Sequence, residues 1–277
     1  MTRPDLHTHS VCSDGVLTPR QLVEEAASAG VTVLALTDHD TMEGCDALRG
    51  QETPIPVIPG VELSIGDMRS LHLLGYGYGD APALRQTIRD LAGKRVERAR
   101  RMLDKLERLG MPLDWRALEK RCHGTIGRPH IARAMVHAGY VACMQDAFAR
   151  YIGHDQPAYV PGERLNMHDA LALMREGGFV PVLAHPCELP VEEHQLPSLL
   201  EKWKDEGLMG VEVYHPSAAS CGYTALDRMT RRMGLLVTGG SDFHQENDRH
   251  GRLGCTLDHW RSAAEDMQAL QHALEAR

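Results

Sequence analysis

Short apolar runs that end in His, Asp or Glu recur along the chain, and this recurrence most limits the folds open to it. Residues 31–36 form a nearly continuous apolar run that passes directly into T-D-H-D. Such a run is typical of a parallel strand covered on both faces. Helical segments lie between the runs, and one begins at Thr18 with a capping box closed by Gln21. Asn166 is the predicted N-cap of a second helix, and Ser262 with Glu265 predicts a capping box for a third. The alternation predicts an α/β barrel, where the carboxyl ends of the strands converge on one face.

The first polar cluster is the sequence D-L-H-T-H-S at residues 5–10. His7 and His9 are separated by one residue, so on an extended backbone their side chains point to the same side. Two imidazoles in this arrangement can bind one cation together. Asp14 follows in the next turn, within reach of a second cation.

Nine residues at or beside predicted strand ends form the candidate metal ligands: His7, His9, Asp14, His39, Glu62, His72, His185, Asp242 and His244. Nine ligands suit two or three divalent cations, with a carboxylate such as Glu62 bridging a pair. The set has nitrogen and oxygen donors but no thiolate, which favours manganese, with iron or zinc as alternatives. Taken singly, each histidine could be an ordinary core or surface residue, and Asp14 and Asp242 could be turn residues. Their joint recurrence at strand ends favours the metal site.

Composition excludes several classes of protein. The 277 residues carry a net charge of −8, which argues against binding of long duplex nucleic acid. The seven cysteines are scattered and unpaired in sequence, as expected in a reducing compartment. No apolar run reaches membrane-spanning length and the N-terminus lacks the apolar core of a signal peptide. We expect a cytoplasmic protein without a membrane partner, and no protein partner is evident.

The pattern changes to helical spacing from about residue 81 to residue 162. We interpret residues 81–162 as a helical insertion, a cap over the mouth of a barrel formed by residues 1–80 and 163–277. Arg98 and Arg101 belong to a basic stripe on the first helix of this insertion. The stripe is either a solvated helix face or a binding surface for a substrate phosphate.

The motifs D-L-H-T-H-S, S-D-G, L-T-D-H-D, P-G-V-E, A-H-P and G-S-D-F-H occur in this order and together resemble the polymerase-and-histidinol-phosphatase (PHP) family of phosphoesterases. The resemblance implies a distorted (β/α)7 barrel with a trinuclear metal centre. It also implies three ligand sets: His7, His9, Glu62 and Asp242; Glu62, His72 and His185; and Asp14, His39 and His244.

The sequence G-R-P-H-I-A-R in the insertion further resembles the branch of 3′,5′-nucleoside bisphosphate phosphatases and 5′–3′ exoribonucleases. We therefore expect Arg128 and His130, with Arg98 or Arg101, to bind the phosphate of a small nucleotide or short oligonucleotide. The expected reaction is removal of the 3′-phosphate of a nucleoside 3′,5′-bisphosphate by a metal-bridging hydroxide held by Glu62. Asp38, His194 and His215 are the candidates for protonating the leaving group.

Three alternatives remain open from the sequence. The first is a 5′–3′ exoribonuclease acting on short 5′-phosphorylated RNA. The second is C–N hydrolysis by an amidohydrolase-type barrel, which also opens with His-x-His but commonly holds two metals. The third is a metal-stabilised module without catalytic activity, which an intact ligand set disfavours.

Overall fold

Seven short strands form one sheet in the computed structural model, which describes residues 2–77, 79, 81–121, 126–246, 251–256 and 258–277. The strands are β1 (Pro4–Asp5), β2 (Val33–Leu36), β3 (Val57–Ser64), β4 (His72–Tyr76), β5 (Val180–Leu183), β6 (Gly210–Tyr214) and β7 (Leu236–Gly239). They pair in sequence order, so each strand is bonded to its neighbour along the chain.

Helices occupy most of the connections between these strands. They are α1 (Pro19–Ser28), α2 (Glu43–Leu48), α3 (Pro82–Arg108), α4 (Trp115–Arg121), α5 (Arg128–His137), α6 (Met144–Ala147), α7 (Met167–Glu176), α8 (Leu196–Glu206), α9 (Ala218–Cys221), α10 (Tyr223–Arg232) and α11 (Ala263–Glu275). Within the described ranges, none of these helices combines the length and apolarity needed to cross a membrane.

The two ends of the sheet are joined by backbone hydrogen bonds, which close it into a barrel. Leu6 N–H donates to the carbonyl of Gly239 at 3.1 Å, and His9 N–H donates to the carbonyl of Phe243 at 3.0 Å. Asp242 N–H donates in turn to the carbonyl of His7 at 2.8 Å. The predicted distorted seven-stranded α/β barrel is confirmed, and the segments after β1 and β7 lie side by side.

β4 is the source of the distortion, because it runs antiparallel to both β3 and β5 while the other pairs are parallel. Only residues 65–71 connect β3 to β4. A parallel crossover needs about a dozen residues or more, so this connection can only form a hairpin. His72 is consequently the first residue of β4, and the reversed strand brings it to the edge where the parallel strands end.

The chain divides into two compact units, one formed by Met1–Gln86 with Arg164–Arg277 and the other by Thr87–Glu163. The second unit is helical and has its own apolar core, which includes Leu106, Ile131, Met135 and Ile152. The predicted role of residues 81–162 as a cap stays a prediction.

Two of the three helix starts predicted from sequence form as expected. Thr18 caps α1 in a capping box with Gln21, and the Asn166 side chain accepts from Asp169 N–H at the start of α7. The capping box predicted at Ser262 is wrong. The Ser262 hydroxyl instead donates to the side chain of Asp266 at 2.8 Å, which also accepts from Trp260 Nε1.

Tyr76 lies inside the barrel, fully buried, and its hydroxyl donates to the carbonyl of Leu6 at 2.9 Å. Tyr76→Phe removes this donor and leaves a buried carbonyl without it. We expect the free energy of unfolding to fall by about 1 kcal/mol. Urea denaturation followed by circular dichroism measures the change. A stability equal to that of the parent protein would show that the bond between β4 and the first strand contributes nothing.

Candidate metal centre

The barrel brings the nine candidate ligands to one edge. His7 and His9 follow β1, His39 follows β2, His185 follows β5, and the segment after β7 carries the last two. Eight of the nine fall into three groups whose donor atoms lie within 4.8 Å of one another: His9, Asp14, His39 and His244; His7, His9, Glu62 and Asp242; and His39, Glu62 and His72. The ninth, His185, has Nε2 3.1 Å from Glu62 Oε1.

Glu62 is at the centre of this arrangement. It lies within β3 rather than after it, and its side chain is buried. Its two oxygens contact five imidazoles. Oε2 lies 3.2 Å from His7 Nε2, 3.2 Å from His9 Nε2 and 3.0 Å from His39 Nδ1. Oε1 lies 2.8 Å from His72 Nδ1 and 3.1 Å from His185 Nε2. A single carboxylate therefore links side chains from β1, β2, β4 and β5.

Asp242 and Asp14 extend the cluster beyond Glu62. Asp242 Oδ1 lies 2.9 Å from His9 Nε2 and 3.3 Å from His7 Nε2. Asp14 Oδ1 lies 3.2 Å from His244 Nε2. The rings of His9 and His244 stack with their centroids 4.2 Å apart. The histidine beside Asp242 therefore contacts the histidine beside Asp14.

The donor atoms fit divalent cations better than they fit one another. Among the described residues, His7 Nε2, His9 Nε2, His39 Nδ1 and Glu62 Oε2 are buried atoms that make no hydrogen bond of acceptable geometry. Buried polar atoms without partners are costly, and native proteins rarely leave several together. Imidazole nitrogens and carboxylate oxygens that converge in this way are the ligands that manganese, iron and zinc take.

The electrostatics of the cluster favour ionised carboxylates. Burial raises the pKa of Glu62, but the neighbouring His39, His7 and His72 outweigh it and hold the pKa well below its usual value. Burial lowers the pKa of His9, but the neighbouring carboxylates of Asp242 and Glu62 outweigh it and raise the pKa to about 10. In the absence of cations, His9 therefore holds a proton that metal binding must displace.

The three candidate acids occupy different surroundings. The Asp38 carboxylate is buried and accepts from Ser10 N–H, from the Ser10 hydroxyl and from the Ser13 hydroxyl, each at 2.7 Å. His194 is exposed in a 3-10 turn, Glu193–Gln195. His215 follows β6, is buried, and has Nε2 3.5 Å from Asp242 Oδ2. His215 therefore contacts a carboxylate of the cluster, and its Nε2 makes no hydrogen bond with another described residue.

The candidate substrate-binding residues belong to the second unit. The guanidinium carbons of Arg98 and Arg128 lie 5.6 and 5.8 Å from the centre of the Tyr159 ring. Arg98 Nε also donates to the carbonyl of Val160 at 2.7 Å. His130 Nδ1 accepts from Gly127 N–H at 3.1 Å at the start of α5, and Arg101 is exposed on α3.

Sequence reasoning missed one charged residue beside the cluster. Glu212 lies in the middle of β6, is fully buried, and has Oε1 3.0 Å from His7 Nδ1. Burial raises the pKa of Glu212, but His7 and His215 outweigh it and lower the pKa below its usual value. A lone acidic residue in an otherwise apolar strand was the available signal.

Comparisons with known proteins agree with the geometry. The PHP domain profile matches residues 5–111. A 5′–3′ exoribonuclease from Haemophilus influenzae is 34% identical over 249 residues, which cover 87% of this chain and 89% of that protein. A 3′,5′-nucleoside bisphosphate phosphatase from Chromobacterium violaceum is 33% identical over 270 residues, which cover 93% of each protein.

A solved structure described as a metal-dependent phosphoesterase from Bifidobacterium adolescentis has the same fold. It aligns with a TM-score of 0.84 at 29% identity and covers 100% of this chain and 99% of its own. The resemblance inferred from the motifs is confirmed. The chain is a phosphoester hydrolase and belongs to the PHP family of metal-dependent phosphoesterases.

Proposed function

We propose that the protein removes the 3′-phosphate from nucleoside 3′,5′-bisphosphates, using two or three divalent cations held by the nine clustered residues. The observation that carries the proposal is the buried Glu62 carboxylate with five imidazoles within 3.2 Å. The bisphosphate is favoured because a relative that aligns over 93% of both proteins has that activity by name.

The proposed ligand sets follow the contacts around the three carboxylates. His7, His9, Glu62 and Asp242 hold the first cation, and their donor atoms form one of the compact groups. Glu62, His72 and His185 hold the second; His72 Nδ1 and His185 Nε2 lie 3.2 Å apart. Asp14, His39 and His244 hold the third, and His9 lies in the same compact group. Manganese is the proposed metal because the set is rich in imidazole and lacks thiolate.

Divalent cations bound here would supply an activated water near neutral pH and neutralise charge on the phosphoryl oxygens. Glu62 contributes a negative charge shared between the first two sets, and burial keeps bulk water from competing for its oxygens. His215 is the proposed proton donor to the leaving group. Its Nδ1 accepts from Ser217 N–H at 3.1 Å, so Nε2 is the ring nitrogen from which a proton would be transferred.

Arg98 and Arg128 are the proposed binding residues for the phosphate that is not cleaved. Both guanidinium groups flank the Tyr159 ring, and Arg128 begins α5, where helix N–H groups favour anions. A guanidinium fork matches two phosphate oxygens at once. His130 and Arg101 complete the set of candidates.

The second candidate function is 5′–3′ removal of nucleotides from short RNA. The relative from Haemophilus influenzae carries that activity in its name, and it aligns over 87% of this chain. Both substrates offer a phosphoester beside a second phosphate, so the same ligands could serve either one.

Substrate choice is tested with a nucleoside 3′,5′-bisphosphate beside a 5′-phosphorylated tetranucleotide, each incubated with manganese-loaded protein. We expect orthophosphate and the nucleoside 5′-monophosphate from the first, with the higher kcat/KM. His9→Ala removes a proposed metal ligand. The kcat/KM for the bisphosphate should therefore fall by more than the roughly 10- to 100-fold cost of substituting a residue that only hydrogen-bonds a ligand. His272→Ala, on the exposed side of α11, is the matched control. Faster release of mononucleotides from the tetranucleotide, with no orthophosphate from the bisphosphate, would instead establish the exoribonuclease.

Metal binding is tested by thermal unfolding of the protein with and without manganese. Cations that bind only the folded state should stabilise it by about 2.7 kcal/mol at a hundredfold excess over Kd, for one site. Glu62→Gln should lose most of this stabilisation because the amide cannot serve two cations. Glu176→Gln, exposed on α7, should keep it. Equal metal contents of the Glu62→Gln and parent proteins, by elemental analysis, would refute the central role of Glu62.

Phosphate binding by the second unit is tested with Arg128→Met. A charge-assisted hydrogen bond is worth about 1.5–3 kcal/mol, so kcat/KM for the bisphosphate should fall about 10- to 100-fold, mainly through KM. Arg116→Met, exposed on α4, should change neither constant. An unchanged KM in Arg128→Met would remove Arg128 from the substrate-binding set.

A further inference from the structure

Glu212 contacts two of the proposed ligands but belongs to none of the proposed ligand sets. It lies in β6, a strand whose five residues are all buried, and it is flanked by the core residues Val211 and Val213. Its side chain is fully buried. An ionised carboxylate in such a place is costly unless its oxygens have partners.

Each oxygen of Glu212 has a different ligand residue as its partner. Oε1 lies 3.0 Å from His7 Nδ1, and Oε2 accepts the backbone N–H of His185 at 2.8 Å. An ionised carboxylate can only accept hydrogen bonds, so the contact with His7 requires a proton on Nδ1. A neutral His7 then has an unprotonated Nε2, and this is the atom that lies 3.2 Å from Glu62 Oε2.

The bond to His185 acts on the backbone instead of the ring. His185 has a φ of 25°, in the left-handed region that residues with a Cβ rarely adopt. Its N–H is held by Glu212 while its Nε2 lies 3.1 Å from Glu62 Oε1. Glu212 therefore contacts two ligands that come from different strands and belong to different proposed cation sites.

From these contacts, and resting on the proposed metal centre, we infer that Glu212 is a positioning residue for both cation sites. It fixes the tautomer of His7 and the backbone of His185, so that each presents Nε2 toward the cluster. Partners of this kind orient metal-binding histidines and raise their basicity in many metalloproteins.

Glu212→Gln separates this role from simple core packing, because glutamine has nearly the same size but only one acceptor oxygen. If that oxygen accepts from His185, the amide nitrogen must donate to His7 Nδ1. The His7 proton then moves to Nε2, where it blocks the metal. We expect zinc affinity, measured by competition with a chelator, to fall about 10- to 100-fold.

Nitrogen-15 NMR of the zinc-loaded proteins supplies a readout that a packing role would not change. The Nδ1–H signal of His7 should be present in the parent protein and lost in Glu212→Gln. Glu201→Gln, exposed on α8, is the matched control and should retain both the affinity and the signal. Unchanged zinc affinity with a retained Nδ1–H signal in Glu212→Gln would overturn the assignment.

Glu212→Asp decides the question should Glu212→Gln fail to fold. Aspartate keeps the charge and both acceptors but withdraws them by one methylene. A lower zinc affinity in Glu212→Asp supports the positioning role, and an unchanged affinity overturns it. Zinc affinity is independent of the phosphoester cleaved, so failure of the parent protein to hydrolyse bisphosphates would refute the proposed substrate and leave the role of Glu212 standing.

Discussion

The contact of one buried carboxylate with five imidazoles is the interaction on which the rest of the site depends. An ion as deeply buried as Glu62 costs several kcal/mol unless nearby groups offset its lost hydration. Here the offset comes from side chains that follow or begin four different strands, all within 3.2 Å of Glu62. Because these side chains come from four strands, the cluster forms only when the sheet has assembled on both sides of β3.

Two of the proposed ligand residues adopt backbone conformations that the surrounding structure must enforce. Asp242 has a φ of 52° and His185 a φ of 25°, both in the left-handed region. Such residues cost about 1–3 kcal/mol each and persist only when neighbouring contacts over-determine them. Asp242 N–H is held by the carbonyl of His7, and His185 N–H is held by Glu212. The backbone strain therefore lies at two residues whose side chains contact the histidine and carboxylate cluster.

Much of the fold and the membership of the cluster could be predicted from sequence, because both rest on local periodicity. The one-residue spacing of His7 and His9 determines that they share a side, and the capping box at Thr18 is a local motif. Four features escaped prediction, and three of them did so because they depend on tertiary structure. His72 begins its strand at the edge of the cluster because a short connection reverses β4, Glu62 lies within β3, and Ser262 bonds Asp266 in place of capping its helix. Glu212 escaped because one acidic residue in an apolar strand has no periodic signature.

The hydrogen bonds that close the barrel have a consequence for how the enzyme is made. His7 and His9 are translated well before Asp242 and His244, and the segments that carry the two pairs are hydrogen-bonded to each other. Contacts this distant in sequence form slowly and late. A chain still on the ribosome therefore carries the first two proposed ligands without the last two, and on the proposed assignment the metal centre forms only after the segment that follows β7 has emerged. A product that ends before β7 lacks Asp242 and His244, so it cannot form the proposed first and third cation sites.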